Sequence, residues 1–130
     1  MTTQQVAQHY YELAQQQKWN DIIDTYYHDE IECIEPPNSK SPPYTKGKAN
    51  VKAKAMHFEQ MIEKVHHAYT TPPIIADNMF SVGMGMDFDM KGAVRMKFDE
   101  ICVFTVQDGK IIREEFIMDW NNGGGHEYTS

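Results

Sequence analysis

From His66 onward the sequence is cut into short alternating runs by paired turn residues: Pro72-Pro73, Asp77-Asn78, Lys91-Gly92 and Asp108-Gly109. Gly, Asp and Asn accept the positive φ of tight hairpins, and proline cannot donate to a ladder, so this half reads as an antiparallel meander. Its last two strands are expected at Ala93 to Val106 and Lys110 to Trp120.

Before His66 the period is helical. Val6, Tyr10, Leu13 and Ala14 share one face of a first helix that Thr2 or Thr3 can cap. Asn20 is a good cap for a second helix bearing Ile22, Ile23, Tyr26 and Tyr27, with Trp19 at the joint. Ile31 to Glu35 reads as a strand stopped by Pro36-Pro37, and the Pro-rich stretch from Pro36 to Lys46 as a loop able to form a lip. Val51, Ala55, Phe58, Ile62 and Val65 then step by four, three, four and three, the stripe of a third helix. Helices first and strands after predict an α+β domain whose helices cover one face of a curved antiparallel sheet. Residues 1–120 form that single domain, and 121–130, with Gly123-Gly124-Gly125, read as a flexible tail in which the lone His126 is no ligand signal.

At 130 residues the chain is long enough for one core. Twelve Lys+Arg against nineteen Asp+Glu give a formal charge of −7, which disfavours nucleic acid as a partner. No apolar run is long enough for a membrane span and no signal core opens the chain, so a cytoplasmic location is expected. Cys33 and Cys102 lie in strand-like apolar sequence and read as small buried hydrophobes. Neighbouring His66 and His67 would point to opposite faces of a strand, and Asp87 and Asp89 beside Lys91 read as solvated charge, so no metal site is expected. With no phosphate-binding glycine loop or nucleophile elbow, no cofactor is expected either.

The segment from Asp99 to Phe116, with its hydrophobic strand, Asp-Gly-Lys-Ile turn and returning strand, resembles the terminal hairpin of SnoaL-like proteins in the nuclear transport factor two-like superfamily. Tyr10-Tyr11-Glu12-Leu13 on the first helix, Trp19 near the second, the strand ending Ile34-Glu35-Pro36 and Gly47 before the third fit the same family, so the resemblance covers nearly the whole chain. It implies a cone-shaped curved sheet wrapped around three helices with an internal pocket. The relatives include polyketide cyclases, ketosteroid isomerases and limonene epoxide hydrolases, so it also implies a small-molecule pocket protein, with proton transfer on an apolar carbonyl compound as one chemistry. A non-catalytic binding or dimerisation module for a hydrophobic metabolite is the other.

Two hairpin registers are open at Asp108-Gly109: a two-residue turn pairs Gln107 with Lys110, and a bulged three-residue turn pairs Val106 with Lys110. The bulged register sets Phe98, Glu100, Cys102 and Phe104 on one face with Ile112, Glu114, Phe116 and Met118; it is preferred here because it matches how the related enzymes line their cavities. Glu100 and Glu114 then either reach the rim or a cation such as Arg95, or act as raised-pKa acids inside a pocket. The resemblance places Glu35 where the isomerases carry their proton-shuttling carboxylate, Tyr10 at the oxyanion-hole tyrosine and Tyr26 near a second pocket tyrosine; Tyr10 reads equally as core. The isomerases' second oxyanion donor, an Asp, corresponds to Cys102, and the cyclases' acid/base Asp to Phe116. Met84 and Met86, with Met118 later, either line an adaptable apolar pocket or simply fill the core. Gly83 and Gly85 between the methionines point to a bend or a close approach of another backbone on the opposite face. The expected sites are therefore Glu35, Tyr10 and Glu114 for catalysis and Tyr26, Glu100, Cys102, Met84, Met86, Phe116 and Met118 for the ligand. Ile101, Val103, Ile111 and Ile117 form an outer apolar face that predicts a homodimer.

Overall fold

The computed structural model describes residues 1–37, 39, 41–118 and, in its backbone, 126–127. The element order is α1 (Thr3–Gln15), α2 (Trp19–Tyr26), β1 (Tyr27–Ile34), β2 (Tyr44–Lys46), α3 (Lys48–Met61), β3 (Ile62–Thr70), β4 (Ile74–Ala76), β5 (Met79–Met90), β6 (Arg95–Gln107), β7 (Lys110–Ile117) and β8 (His126–Glu127). The strands form a curved sheet in the order β2-β1-β7-β6-β5-β3, with β4 on β5 and β8 on β6.

Helix α1 begins where the sequence places it. Thr2 Oγ1 accepts from the Gln5 amide at 3.1 Å while Gln5 Oε1 accepts from the Thr2 amide at 2.9 Å, a reciprocal capping box. The apolar stripe buries Val6, Ala7, Tyr10 and Ala14. Helix α2 starts one residue before Asn20, without a side-chain cap, and ends at Tyr26, so Tyr27 opens β1 instead of completing the helical stripe. The strand expected at Ile31 to Glu35 is therefore longer at its start. The Pro-rich loop also contains a strand, β2, which pairs antiparallel with β1 at Ile34↔Tyr44.

Helix α3 corrects the sequence reading most. It stops at Met61 and passes without a loop into β3, so Ile62 and Val65 lie on a strand; Val51 is its one buried residue. Ala55 packs on the core, and Phe58 lies half-exposed with its ring 5.7 Å from that of Phe88 and 6.4 Å from that of Phe98.

The sheet is mixed, not wholly antiparallel: β1 lies parallel to β7, with Cys33 opposite Glu114. At the β6–β7 hairpin, Asp108 and Gly109 both take positive φ (50° and 76°) and Gln107 pairs with Lys110, the two-residue turn. The ladder then shifts between Thr105 and Val106, so that Ile112 is an extra residue between Ile111 and Arg113. Beyond this bulge Phe104 faces Glu114 and Cys102 faces Phe116. The face expected for Glu100, Cys102, Phe104, Glu114 and Phe116 is thus observed, but the turn is the other one, and Ile111 takes the buried place expected of Ile112.

Phe80, Val82 and Phe88 of β5 face Phe104, Cys102 and Met96 of β6 on the concave side. On the convex side Gly85 lies under the ring of Tyr69, whose hydroxyl donates to Asp99 Oδ1 at 2.5 Å. Thr71 approaches Gly83 in the same way, its Oγ1 accepting from the Gly83 amide at 2.7 Å. Side chains, not the second backbone expected from the sequence, therefore make the close approaches at the two glycines. Most of the segment read as a flexible tail, 121–130, lies outside the described residues; the backbone of 126–127 pairs with Met96 and Lys97. No described helix is long and apolar enough to cross a membrane.

A Cβ on Gly85 would sit 2.4 Å from Tyr69 Cε1. Gly85→Ala is expected to cost about 1–3 kcal/mol in urea unfolding. That cost should largely vanish in a Tyr69→Ala background, where the ring no longer occupies the space.

Candidate functional site

Glu114 is a core residue, 3% exposed at the centre of β7. The parallel register sets Cys33 of β1 on one side of it, and the antiparallel register sets Phe104 of β6 on the other. The Tyr27 hydroxyl donates to Glu114 Oε2. Burial raises the pKa of the Glu114 carboxyl, and the hydrogen bonds from Tyr27 and Cys33 and the charge of Lys54 only partly oppose the rise. Burial also drives Tyr27 and Cys33 upward, with Glu114 adding to both.

Glu35 stands just past the end of β1, its amide donating to the Pro43 carbonyl at 3.0 Å. Its Oε1 accepts from Lys54 Nζ of α3 at 2.8 Å. The same ammonium lies 2.9 Å from Cys33 Sγ. Burial pulls the Lys54 pKa down, but contacts with Cys33 and Glu35 outweigh it, and the net shift is upward. Lys54 occupies the core-facing side of α3, three residues after Val51 and four before Phe58.

Glu100 of β6 is half-buried, opposite Met84 of β5. Burial, with repulsion from Glu35 and Glu114, lifts its carboxyl to about 8, while Cys102 Sγ, 3.6 Å away, opposes weakly. Cys102 is itself driven up by burial and then by Glu100 and Glu114.

Tyr10 reaches this group from α1. Its ring packs 4.8 Å from Phe104 and 5.5 Å from Phe80 between centroids, and it is 3% exposed. Burial raises its hydroxyl far above an ordinary phenol, with further contributions from Cys102, Glu114 and Glu100. Among the described residues that hydroxyl makes no hydrogen bond. A buried phenol beside two carboxyls and a thiol, without a partner among the described residues, is a free donor.

The structure thus brings Glu35, Tyr10, Glu114, Glu100 and Cys102 together. Met84, Met86, Phe116 and Met118 are half-buried, with Met84 opposite Glu100, Met86 opposite Phe98 and Phe116 opposite Cys102. Tyr26 is not brought in: it is buried between α1 and α2, bonded to His9 Nδ1, with Met1 Sδ at 4.0 Å. Sequence reasoning missed Lys54, Tyr27 and the polar role of Cys33. Arg95, weighed above as a cation for the acids, instead holds Asp87 by two bonds of 2.8 Å. Two concavities form elsewhere and open to solvent. One of about 510 Å³ is lined by His28, Glu32, Lys46, Lys110 and Arg113 among others, and one of about 100 Å³ lies around Trp19. Neither is the internal pocket that the resemblance implies. Among the described residues no group of three or more His, Cys, Asp or Glu has metal-holding geometry.

A fold of three helices on a curved sheet, with an acidic cluster on its concave side, defines a cystatin-like, nuclear transport factor two-like domain. The chain belongs to the SnoaL-like domain family, whose sequence profile matches residues 1–118. A SnoaL-like protein from Mesorhizobium loti, assigned by inference as a polyketide cyclase, is 26% identical with a TM-score of 0.83, over 91% of this chain and 100% of that one. A cystatin-like protein of unknown function from Xanthomonas campestris shares the fold at 14% identity and a TM-score of 0.74, over 89% of each chain. A protein with a ketosteroid isomerase-like fold from Catenulispora acidiphila, bound to trimethylamine, does so at 12% identity and a TM-score of 0.65, over 80% of this chain and 77% of that one. No functionally curated protein matches the chain.

Glu100 keeps its proton to about pH 8 when folded and to about 4.5 otherwise. Between those values the unfolded chain binds fewer protons, so the stability contributed by the protonated carboxyl is lost as pH rises through that window. Glu100→Gln should remove this dependence, leaving the variant more stable than the parent at pH 9 by up to a few kcal/mol and closer to it at pH 5, as read from urea midpoints.

Proposed function

We propose that this chain is a cofactor-independent enzyme that moves a proton on a small apolar carbonyl compound bound on the concave side of the sheet. The observation that carries this reading is the buried Tyr10 hydroxyl, without a hydrogen-bond partner among the described residues, in the same acidic cluster as Glu100, a carboxyl that burial lifts to about 8. Tyr10 donates to the carbonyl oxygen as negative charge develops there. Glu100 takes the proton from the adjacent carbon and returns it elsewhere, the task for which a carboxyl near working pH is suited.

The resemblance of Glu35 to the isomerases' base makes it the second candidate, and the ion pair with Lys54 weighs against it, since a proton reaching Glu35 would compete with a 2.8 Å contact. Glu35 with Lys54 fits a charge-balancing role. Glu114, already bonded to Tyr27, fits a fixed acceptor that orders the wall. Met84, Met86, Phe116 and Met118 supply the apolar, adaptable remainder. The polyketide cyclase assignment of the Mesorhizobium loti protein is in keeping with this chemistry.

The test is deuterium uptake beside the carbonyl in a panel of apolar ketones and quinones, followed by NMR. Tyr10→Phe should slow exchange about 10²–10³-fold, and Glu100→Gln about 10²–10⁴-fold. The rate at low substrate should rise about tenfold per pH unit below pH 8 and level above it, because Glu100 must be ionised to act. Full exchange in both variants would sink this assignment.

We further propose a homodimer through the convex face. Ile101 and Ile117, which face each other across β6 and β7, are 53% and 49% exposed and adjoin half-buried Val103. Ile111, included in that face from the sequence, is fully buried on the other side and takes no part. Light scattering at micromolar concentration should give twice the chain mass, and Ile101→Lys should halve it; a monomeric parent protein would refute the assembly.

A further inference from the structure

We propose that Cys33 and Lys54 form a reversible covalent crosslink through one bridging oxygen atom when the protein meets a peroxide. This does not rest on the catalytic reading. Lys54 Nζ lies 2.9 Å from Cys33 Sγ, a separation ordinary for N–H···O and short for the larger sulfur atom. One oxygen spans such a gap with little movement, whereas a direct S–N bond would need the two atoms to close by about an ångström or more.

The surroundings favour this outcome over the usual oxidation ladder. Cys33 is fully buried on β1 and makes no disulfide. Burial keeps its thiol protonated, so only a small neutral oxidant can reach and react with it, and slowly. The Lys54 side chain is 19% exposed, which gives that oxidant a path along α3. Glu35 Oε1, 2.8 Å from Nζ, holds the nitrogen in place.

The chemistry balances with two molecules of hydrogen peroxide. The first takes two electrons from sulfur, converting Cys33 S–H to S–OH with release of one water. Lys54 gives up its ammonium proton to water. The second peroxide then takes two electrons from Nζ and joins it to the sulfenic oxygen, giving S–O–NH and releasing two waters. In total four electrons pass to two peroxides and three waters leave. The bridge ties α3 to β1 and removes the cation that faces Glu35.

The experiment is peroxide treatment of the folded full-length chain, then proteolysis and fragment mass spectrometry with and without dithiothreitol. The expected product is a joined peptide pair containing Cys33 and Lys54, one oxygen heavier and two hydrogens lighter than the sum of its parts, lost on reduction. Fragmentation separates it from methionine sulfoxide. Lys54→Arg and Cys33→Ser should each abolish it; the mapping in the parent protein stands even if a variant fails to fold. The proposal is overturned by sulfinic or sulfonic acid at Cys33 with Lys54 free, by a Cys33–Cys102 disulfide, by a pair joined without the oxygen, or by unmodified Cys33 once the methionines are oxidised.

Discussion

The arrangement turns on one buried carboxyl. Glu114 sits in the middle of the sheet in a domain of 130 residues, where an unpartnered ionised acid would cost several kcal/mol. Its partners come from two elements, β1 and α3, and each constrains the chain. Tyr27 must be the first residue of β1, so α2 ends at Tyr26. Cys33 must face Glu114, which fixes the parallel register of β1 on β7. Lys54 must lie on the inner side of α3, where it reaches both Cys33 and Glu35.

The bulge at Ile112 decides which residue occupies that central place. Carried on without interruption, the ladder from Gln107↔Lys110 would set Phe104 opposite Arg113 and turn Glu114 to the convex face. The extra residue reverses this: Arg113 points outward, 3.6 Å from Glu115, and Glu114 points in. Ile111, before the bulge, stays buried. A type of turn and a single inserted residue together decide the sign of the charge in the core.

Particular residues explain what could be read from sequence and what could not. The helix stripe of α1 and the turn pairs were legible because periodicity and turn chemistry are local. The end of α3 was not: no Gly or Pro separates Met61 from Ile62, and the β-branched Ile62 and Val65 fall at helical spacing although they lie on a strand. The same ambiguity hid Tyr27 in the stripe of α2. The parallel pairing of β1 with β7 joins strands far apart in the chain, which no local pattern reports. The resemblance supplied Glu35, Tyr10 and the expected face, but Lys54 required asking which polar residue shares the side of Val51 and Phe58. That signal was present, and a search for apolar spacing alone passes over it.

The three acids divide according to their partners. Glu35 has an ammonium at 2.8 Å, and Glu114 has a phenol and a thiol. Among the described residues Glu100 has only the Cys102 thiol at 3.6 Å and faces the repulsion of both other carboxyls, so the proton that one lysine cannot replace resides there. Opposite this under-supplied acid stands a phenol that packing has left without an acceptor. Among the described residues, an acid lacking a strong donor thus stands in one cluster with a donor lacking an acceptor. On the proposed reading, a carbonyl compound with an acidic C–H satisfies both at once: its oxygen meets Tyr10 and its proton meets Glu100. The cost of leaving these groups unmatched in the free protein is then recovered on binding, most fully when charge has moved onto the oxygen.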